Sequence, residues 1–485
     1  MRTFLVLLFG YLIKMNFYLV GQWLRRQIKV VFAVGAAAWL GFQVQAGDTG
    51  SAAMPAHPSP NWLRTGTIYE IYPRDFSTAG NLQGVTARLD DLHHLGVSIL
   101  WIMPIHPIGE KFRKGGYGSP YSIRDYYAVD PDYGTLADFQ QLVAGAHTRG
   151  MKVIMDLVAN HTAWDSVMMT NKAFYKQDAA GNVIPPVPEW TDVAGLNYTN
   201  SELRGYMIAM LKYWIQQTDI DGYRCDVASN VPTDFWEQAR AQLLTVKPDL
   251  MMLAEASKPE LLTNAFDIDY SWPLLATLNQ VLMHSAPASD IQKCWEENLA
   301  RFPKGALHMR MSDDHDESRA VSRYGVNGAL AASILMFTLD GVPMLYNGME
   351  VGDATESGDP ALFDKLTIFW NPKDRPPFGQ IYQALIKLRQ DYPALTNDRL
   401  IWLPNTDASR VVSFLRLDGN DEFVIVINLS NRPVTGSLKV LNAAAFKPVK
   451  LAGLPDGPQG DLPRFQLDGF GWRIYHRSVA SVSTK

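Results

Sequence analysis

The chain has 485 residues, 47% of them hydrophobic and 19% charged, with a formal net charge of -5. That balance is ordinary for a folded globular protein and contains no block of like charge, which excludes a nucleic-acid binder and a long disordered chain. The length exceeds one small core and suits a large α/β barrel with a modest extra domain, while two cysteines, Cys225 and Cys294, exclude a disulfide framework.

Residues 1–46 read as a targeting segment. Arg25, Arg26 and Lys29 precede the apolar run Val30 to Phe42, which ends at the small-residue site Val44-Gln45-Ala46. The expectation is export, to the periplasm or the exterior. Phe4 to Val20 is also apolar apart from Lys14, so the segment is either a signal peptide or an N-terminal membrane anchor. Residues 47–60, rich in Gly, Ser, Ala and Pro, form a linker.

From Thr67 onward short β-type runs alternate with stretches of helical periodicity, the rhythm of parallel strands joined by helical crossovers. The predicted strands are Ile68 to Tyr72, Ile99 to Met103, Val153 to Leu157, Gly222 to Asp226, Met251 to Glu255, Ala265 to Asp269, Leu307 to Met311 and Val342 to Tyr346. Helical patterns cover Gly84 to Leu95, Leu136 to Thr148, Leu203 to Thr218 and Thr233 to Leu244. Eight such units predict an α/β fold, a (β/α)8 TIM barrel over residues 61–396. The crossover after the third strand is long, with an irregular insertion at 162–205 that carries Pro185, Pro186 and Pro188; such a loop in a compact domain is usually functional. After Tyr392-Pro393 the pattern becomes alternation without helices, which predicts a C-terminal antiparallel β domain at 397–485.

In a barrel the C-terminal strand ends build the site. Asp226 and Glu255 each end an apolar run, where desolvating a carboxylate is costly without partners. Arg224 and Asp226 lie two residues apart on one strand and so point the same way. The guanidinium favours an ionised Asp226, while a carboxyl among other acids is pushed toward protonation; two carboxyl groups shifted in opposite directions are the apparatus of glycoside hydrolysis. Taken alone, Arg224 and Asp226 also admit a reading as a buried ion pair that only fixes the barrel. Other clusters sit at Asp156 to His161 and at Asp313-Asp314-His315-Asp316, where Asp313 and Asp314 read as ordinary loop acids.

Together with Ile71-Tyr72-Pro73-Arg74, Gly96 to Pro104, Tyr126 to Pro131 and Gly341 to Glu350, these clusters resemble the α-amylase family, glycoside hydrolase family 13, over nearly the whole chain. The resemblance implies a retaining glycosidase that cleaves α-1,4 bonds in starch, glycogen or malto-oligosaccharides. It assigns Asp226 as nucleophile, Glu255 as general acid/base and Asp316 as the third essential carboxylate. Tyr121, His161, Arg224 and His315 would bind or orient the sugar, with Trp190 and Trp272 at outer subsites. The same residues admit a transglycosylase or an oligosaccharide-trimming α-glucosidase, and the apolar N-terminus admits a non-catalytic, membrane-anchored partner or glycan-binding subunit.

Two departures from the family pattern matter. Ser119 and Ser122 flank Tyr121 where relatives carry sugar-contacting residues, and Asp314 stands where an Asn is usual, adding negative charge. No cofactor is required for the chemistry. A structural calcium ion would use Asn160, but Gly195 supplies no carboxylate where relatives have an acid, so the site is expected to be weak or absent unless Asp192 substitutes.

Overall fold

The computed structural model describes residues 54–355, 358–371, 376–452 and 461–479. The targeting segment, the first half of the linker and the extreme C-terminus therefore lie outside the described residues. Among the described residues no helix is long and apolar enough to cross a membrane.

Eight parallel strands close into a barrel: β1 (Ile68–Ile71), β2 (Ile99–Ile102), β3 (Lys152–Leu157), β4 (Gly222–Cys225), β5 (Met251–Ala254), β6 (Ile268–Tyr270), β7 (Leu307–Arg310) and β8 (Val342–Tyr346), with β8 pairing back onto β1. The strands β1, β2, β4 and β5 are buried at every residue, because helices cover the outside and side chains fill the inside. That is why they read as continuous apolar runs rather than alternating ones. Only β6 starts later than the sequence predicts. Ala265 and Phe266 instead donate their backbone N–H groups to Leu261 and close the short helix Leu261–Asn264.

Register decides where the exceptional charged residues meet. Asp156 on β3 pairs with Arg224 on β4, and Glu70 on β1 pairs with Trp101 on β2. At the start of β8, Gly341 has φ 94°, and a Cβ there would lie 2.3 Å from the His308 carbonyl. Only glycine fits that entry. The helix Leu136–His147 opens with a reciprocal cap between Thr135 and Asp138, and Asn200 caps Ser201–Thr218 by accepting from Glu202 and Leu203 N–H.

Between β3 and that capped helix, the insertion folds back as two short antiparallel strands, His161–Ala163 and Val193–Gly195, with His161 opposite Gly195. Beyond the barrel, strands Leu400–Trp402, Val411–Leu417, Asp421–Asn428, Trp472–Ser478 and Lys447–Pro448 form one antiparallel sheet in that order. Its two faces serve two cores. Phe423, Ile425 and Ile427 join the main barrel core, while Val424 and Val426 pack with Phe465 and Leu467 in a second cluster. Both cysteines are buried free thiols.

Candidate active site

Asp226 and Glu255 each sit one residue beyond their strands, and the backbone ladder continues to hold them. Asp226 N–H donates to the Leu157 carbonyl at 2.9 Å and Glu255 N–H to the Cys225 carbonyl at 3.0 Å. Arg224, fully buried, lies between the acids: Nη1 is 3.2 Å from Asp226 Oδ1 and 3.0 Å from Asp156 Oδ1, and Nη2 is 2.8 Å from Glu255 Oε2. Its Nε donates to the Tyr270 hydroxyl at 3.1 Å. The chain turns sharply after Asp226. Val227 has φ 36° and ψ 48°, which strains a β-branched residue by about 1–3 kcal/mol. The turn aims Val227 N–H at Glu255 Oε2, 2.7 Å away.

Burial pushes both acids above the ordinary carboxylate range. For Asp226 the neighbouring Glu255 adds to burial and Arg224 opposes it; for Glu255 burial is opposed first by Arg224. The expectation that the two carboxyl groups shift in opposite directions is therefore corrected: both are raised. Arg224 does favour the Asp226 carboxylate, but burial and Glu255 outweigh it and raise the pKa. Asp226 Oδ2 is buried with no hydrogen-bond partner, whereas Glu255 Oε2 is occupied by Val227 and Arg224.

The other predicted residues converge on the same mouth. The Tyr121 ring stacks on His315 with centroids 5.4 Å apart, and its hydroxyl lies 2.8 Å from His315 Nε2. Asp316 has a half-exposed carboxyl group, with Oδ2 3.4 Å from His315 Nε2. His161 is buried, meets Trp190 edge-on, and is held neutral by burial with a pKa lowered to about 4. Trp272 stacks on Tyr270 with centroids 5.1 Å apart, one step from Arg224.

Asp313 and Asp314 are not ordinary loop acids; both are buried. Asp313 accepts from Ala320 N–H and faces Arg319, while Asp314 Oδ1 accepts from Asp316 and Glu317 N–H. Burial and the adjacent Asp316 push Asp314 well above the carboxylate range. Sequence reasoning also missed Glu70, a fully buried acid bonded to His315 Nδ1 at 2.5 Å. Its signal was a charge inside the apolar run of β1. Trp101 is core, as its position predicts, yet its indole N–H donates to Asp156 Oδ2 at 3.1 Å.

The residues around Asn160 do not fit a calcium ion. Asp192 already carries the Lys114 ammonium, 2.7 Å from Oδ1. The Asn160 side-chain amide faces His161 Nδ1 at 3.3 Å, and the backbone carbonyl of Asn160 accepts from Leu196 N–H. A cation from the chain stands where a metal would need that carboxylate.

A closed parallel barrel with acids on adjacent strand ends and a further acid at the same mouth defines a barrel glycoside hydrolase. The Alpha amylase catalytic domain family matches residues 70–181 and 189–373, and the chain belongs to that family. Alpha-amylase MalA of Haloarcula japonica is 29% identical over 416 residues, covering 82% of this chain and 60% of MalA. The intracellular maltogenic amylase of Bacillus subtilis is 27% identical over 430 residues, covering 79% and 72%. Among solved structures, an alpha-amylase from Lactobacillus plantarum superimposes with a TM-score of 0.77 at 32% identity, over 85% of this chain and 99% of that one. A maltogenic alpha-amylase, AmyB, from Thermotoga neapolitana gives 0.75 at 29%, over 86% and 97%. The expected fold class and family are both borne out.

Proposed function

We propose that this chain hydrolyses α-1,4-glucosidic bonds in starch, glycogen or malto-oligosaccharides with retention of configuration. The observation that carries the reading is one buried guanidinium spanning Asp226 and Glu255, with one oxygen of Asp226 free of partners. A shared cation seats both carboxyl groups on one guanidinium, which supports the paired nucleophile and acid/base of double displacement.

Asp226 Oδ2 attacks the anomeric carbon as the glycosidic C–O bond breaks, and Glu255 gives its proton to the departing oxygen. Water then attacks the same carbon, Glu255 takes the proton back, and Asp226 is released as carboxylate. Arg224 steadies the charge that moves between the two acids. Asp316, half-exposed beside His315, binds ring hydroxyls, and Tyr121 with His161 lines the same subsite. Maltogenic and amylase relatives support the substrate class.

Asp226→Asn or Glu255→Gln should lower kcat on soluble starch by roughly 10⁴-fold or more while leaving the circular dichroism spectrum intact. Near-normal turnover by either variant, or β-anomeric first products by NMR, would sink the assignment. The reading includes independence from calcium, supported by the Lys114–Asp192 pair. EGTA should leave Tm and kcat unchanged, and a drop of several degrees would contradict it. It also includes export directed by residues 1–46, which rests on sequence. A mature protein that begins after Ala46 supports a cleaved signal, and a cytoplasmic chain still beginning at Met1 refutes export.

A further inference from the structure

The carboxyl groups at the barrel mouth outnumber the arginine set among them. Glu70 from β1, Asp156 from β3, Asp226 after β4 and Glu255 after β5 lie around the guanidinium of Arg224, and Asp314 and Asp316 after β7 lie beside His315. His315 stands within this group, buried, with Trp101 edge-on at 5.8 Å and Tyr121 stacked against it.

Hydrogen-bond accounting assigns its protons. The Tyr121 hydroxyl has one proton, and its hydrogen bond to Asp156 Oδ2, at 3.1 Å, uses it. The same hydroxyl lies 2.8 Å from His315 Nε2, and Asp316 Oδ2 lies 3.4 Å from that nitrogen, so two oxygens face Nε2. On the other side, Nδ1 meets Glu70 Oε1 at 2.5 Å, and a carboxylate oxygen can only accept. Both ring nitrogens thus face oxygen atoms, the arrangement that suits an imidazolium.

We propose that Glu70 is a positioning residue that holds His315 doubly protonated, so that its Nε2–H, which lies against the Tyr121 hydroxyl and Asp316 in the free site, is a permanent cationic donor that turns to a sugar hydroxyl when substrate enters. This role rests on the proposed glycosidase reading only for the identity of the acceptor. Glu70 itself is closed off from solvent behind His315: it is 0% exposed and its second oxygen has no hydrogen-bond partner. That orphaned oxygen is a costly arrangement that a neutral residue would avoid, and it is offset only if the carboxylate charge serves the imidazolium. The electrostatic surroundings agree. Burial alone lowers the pKa of His315, but Asp316 and Glu70 reverse this and push it up to about 10, against the opposing charge of Arg224.

The test is ¹⁵N NMR of the imidazole nitrogens in the full chain, with His315 identified by the signals missing from His315→Gln. At pH 8 wild type should show both nitrogens protonated. In Glu70→Gln the ring should lose a proton below pH 8, and kcat/KM should fall about tenfold more between pH 6 and pH 8 than in wild type, with the acid limb unchanged. A bare nitrogen on His315 in wild type at pH 8 overturns the proposal, and the wild-type spectrum decides this even if the variant fails to fold. So does a Glu70→Gln loss of equal factor at every pH, the mark of a merely structural residue. Failure of the glycosidase reading would appear separately, as absent glucan turnover with a doubly protonated His315.

Discussion

Arg224 shows how much one side chain organises at this site. Its planar fork meets Asp156, Asp226 and Glu255 at once, and Trp101, Tyr121 and Tyr270 surround the guanidinium. A lysine offers a compact point charge that can serve one or two of those acids but cannot span them. Arg224→Lys should therefore lower kcat/KM by roughly 10²–10³-fold and reduce stability in urea by about 3 kcal/mol, since a buried carboxylate is left without its partner. Stability within experimental error of wild type would show that the acids find other compensation. Asp226, Glu255 and Arg224 were legible in the sequence because each is a charge at the end of an apolar run, where charge is costly. Glu70 and Lys114 were not, because their meaning lies in partners far along the chain. Glu70 meets His315 across 245 positions, and Lys114, in a glycine-rich loop, meets Asp192 on the insertion.

Elements around the mouth are tied by backbone as well as charge. The short helix Pro73–Phe76 after β1 presents Asp75, whose Oδ1 accepts from Leu366 N–H at 2.9 Å while its carbonyl accepts from Ile368 N–H at 3.0 Å. One residue thereby pins the segment after β8 against the first strand. Burial raises the Asp75 pKa from 3.8 to about 7, with the Leu366 bond and Arg74 opposing. The folded chain thus keeps a proton that the unfolded chain releases near pH 3.8. This contribution to stability is complete below that value and declines as pH rises toward 7, by up to about 1.4 kcal/mol per pH unit. Asp75→Asn keeps the accepting oxygen and removes the titration. Urea unfolding should find it equal to wild type near pH 3.5 and increasingly more stable than wild type up to pH 7; a constant offset across that range would refute the buried acid. The strand positions themselves were readable because both faces of a parallel barrel are covered. The late start of β6 was not readable, since Ala265 and Phe266 suit either a strand or a closing helical turn, and only the Leu261 carbonyl decides between them.

At the scale of the whole molecule, the C-terminal sheet is visible in the sequence as a change of period, but its dependence on the barrel is not. Alternation along Asp421–Asn428 sends Phe423, Ile425 and Ile427 to one face and Val424 and Val426 to the other, and an apolar residue looks the same whichever core receives it. The structure shows the first face, together with Phe414 and Ile474, merged with the core that fills the barrel. Arg416 crosses the same boundary, donating to the Thr338 carbonyl at 2.9 Å, and Arg389 donates from the last barrel helix, Phe378–Asp391, to the carbonyls of Phe337, Gly341 and Leu395. Burial lowers the pKa of Arg416 to about 10 and that of Arg389 to about 9, so both guanidinium groups remain charged at neutral pH; the Thr338 carbonyl reaches Arg416 only when the two parts are joined, while the partners of Arg389 all lie in the barrel. Among the described residues, sheet and barrel accordingly form one compact unit. Calorimetry should then record a single unfolding transition for sheet and barrel together, with hydrolytic activity lost over the same temperatures. Phe414→Ala, which empties the shared core, should destabilise the whole chain by about 3–5 kcal/mol and lower that one transition without splitting it. Two transitions, with only the lower one moved by the substitution and activity surviving it, would mean that the sheet is an appendage and that the barrel holds its site unaided.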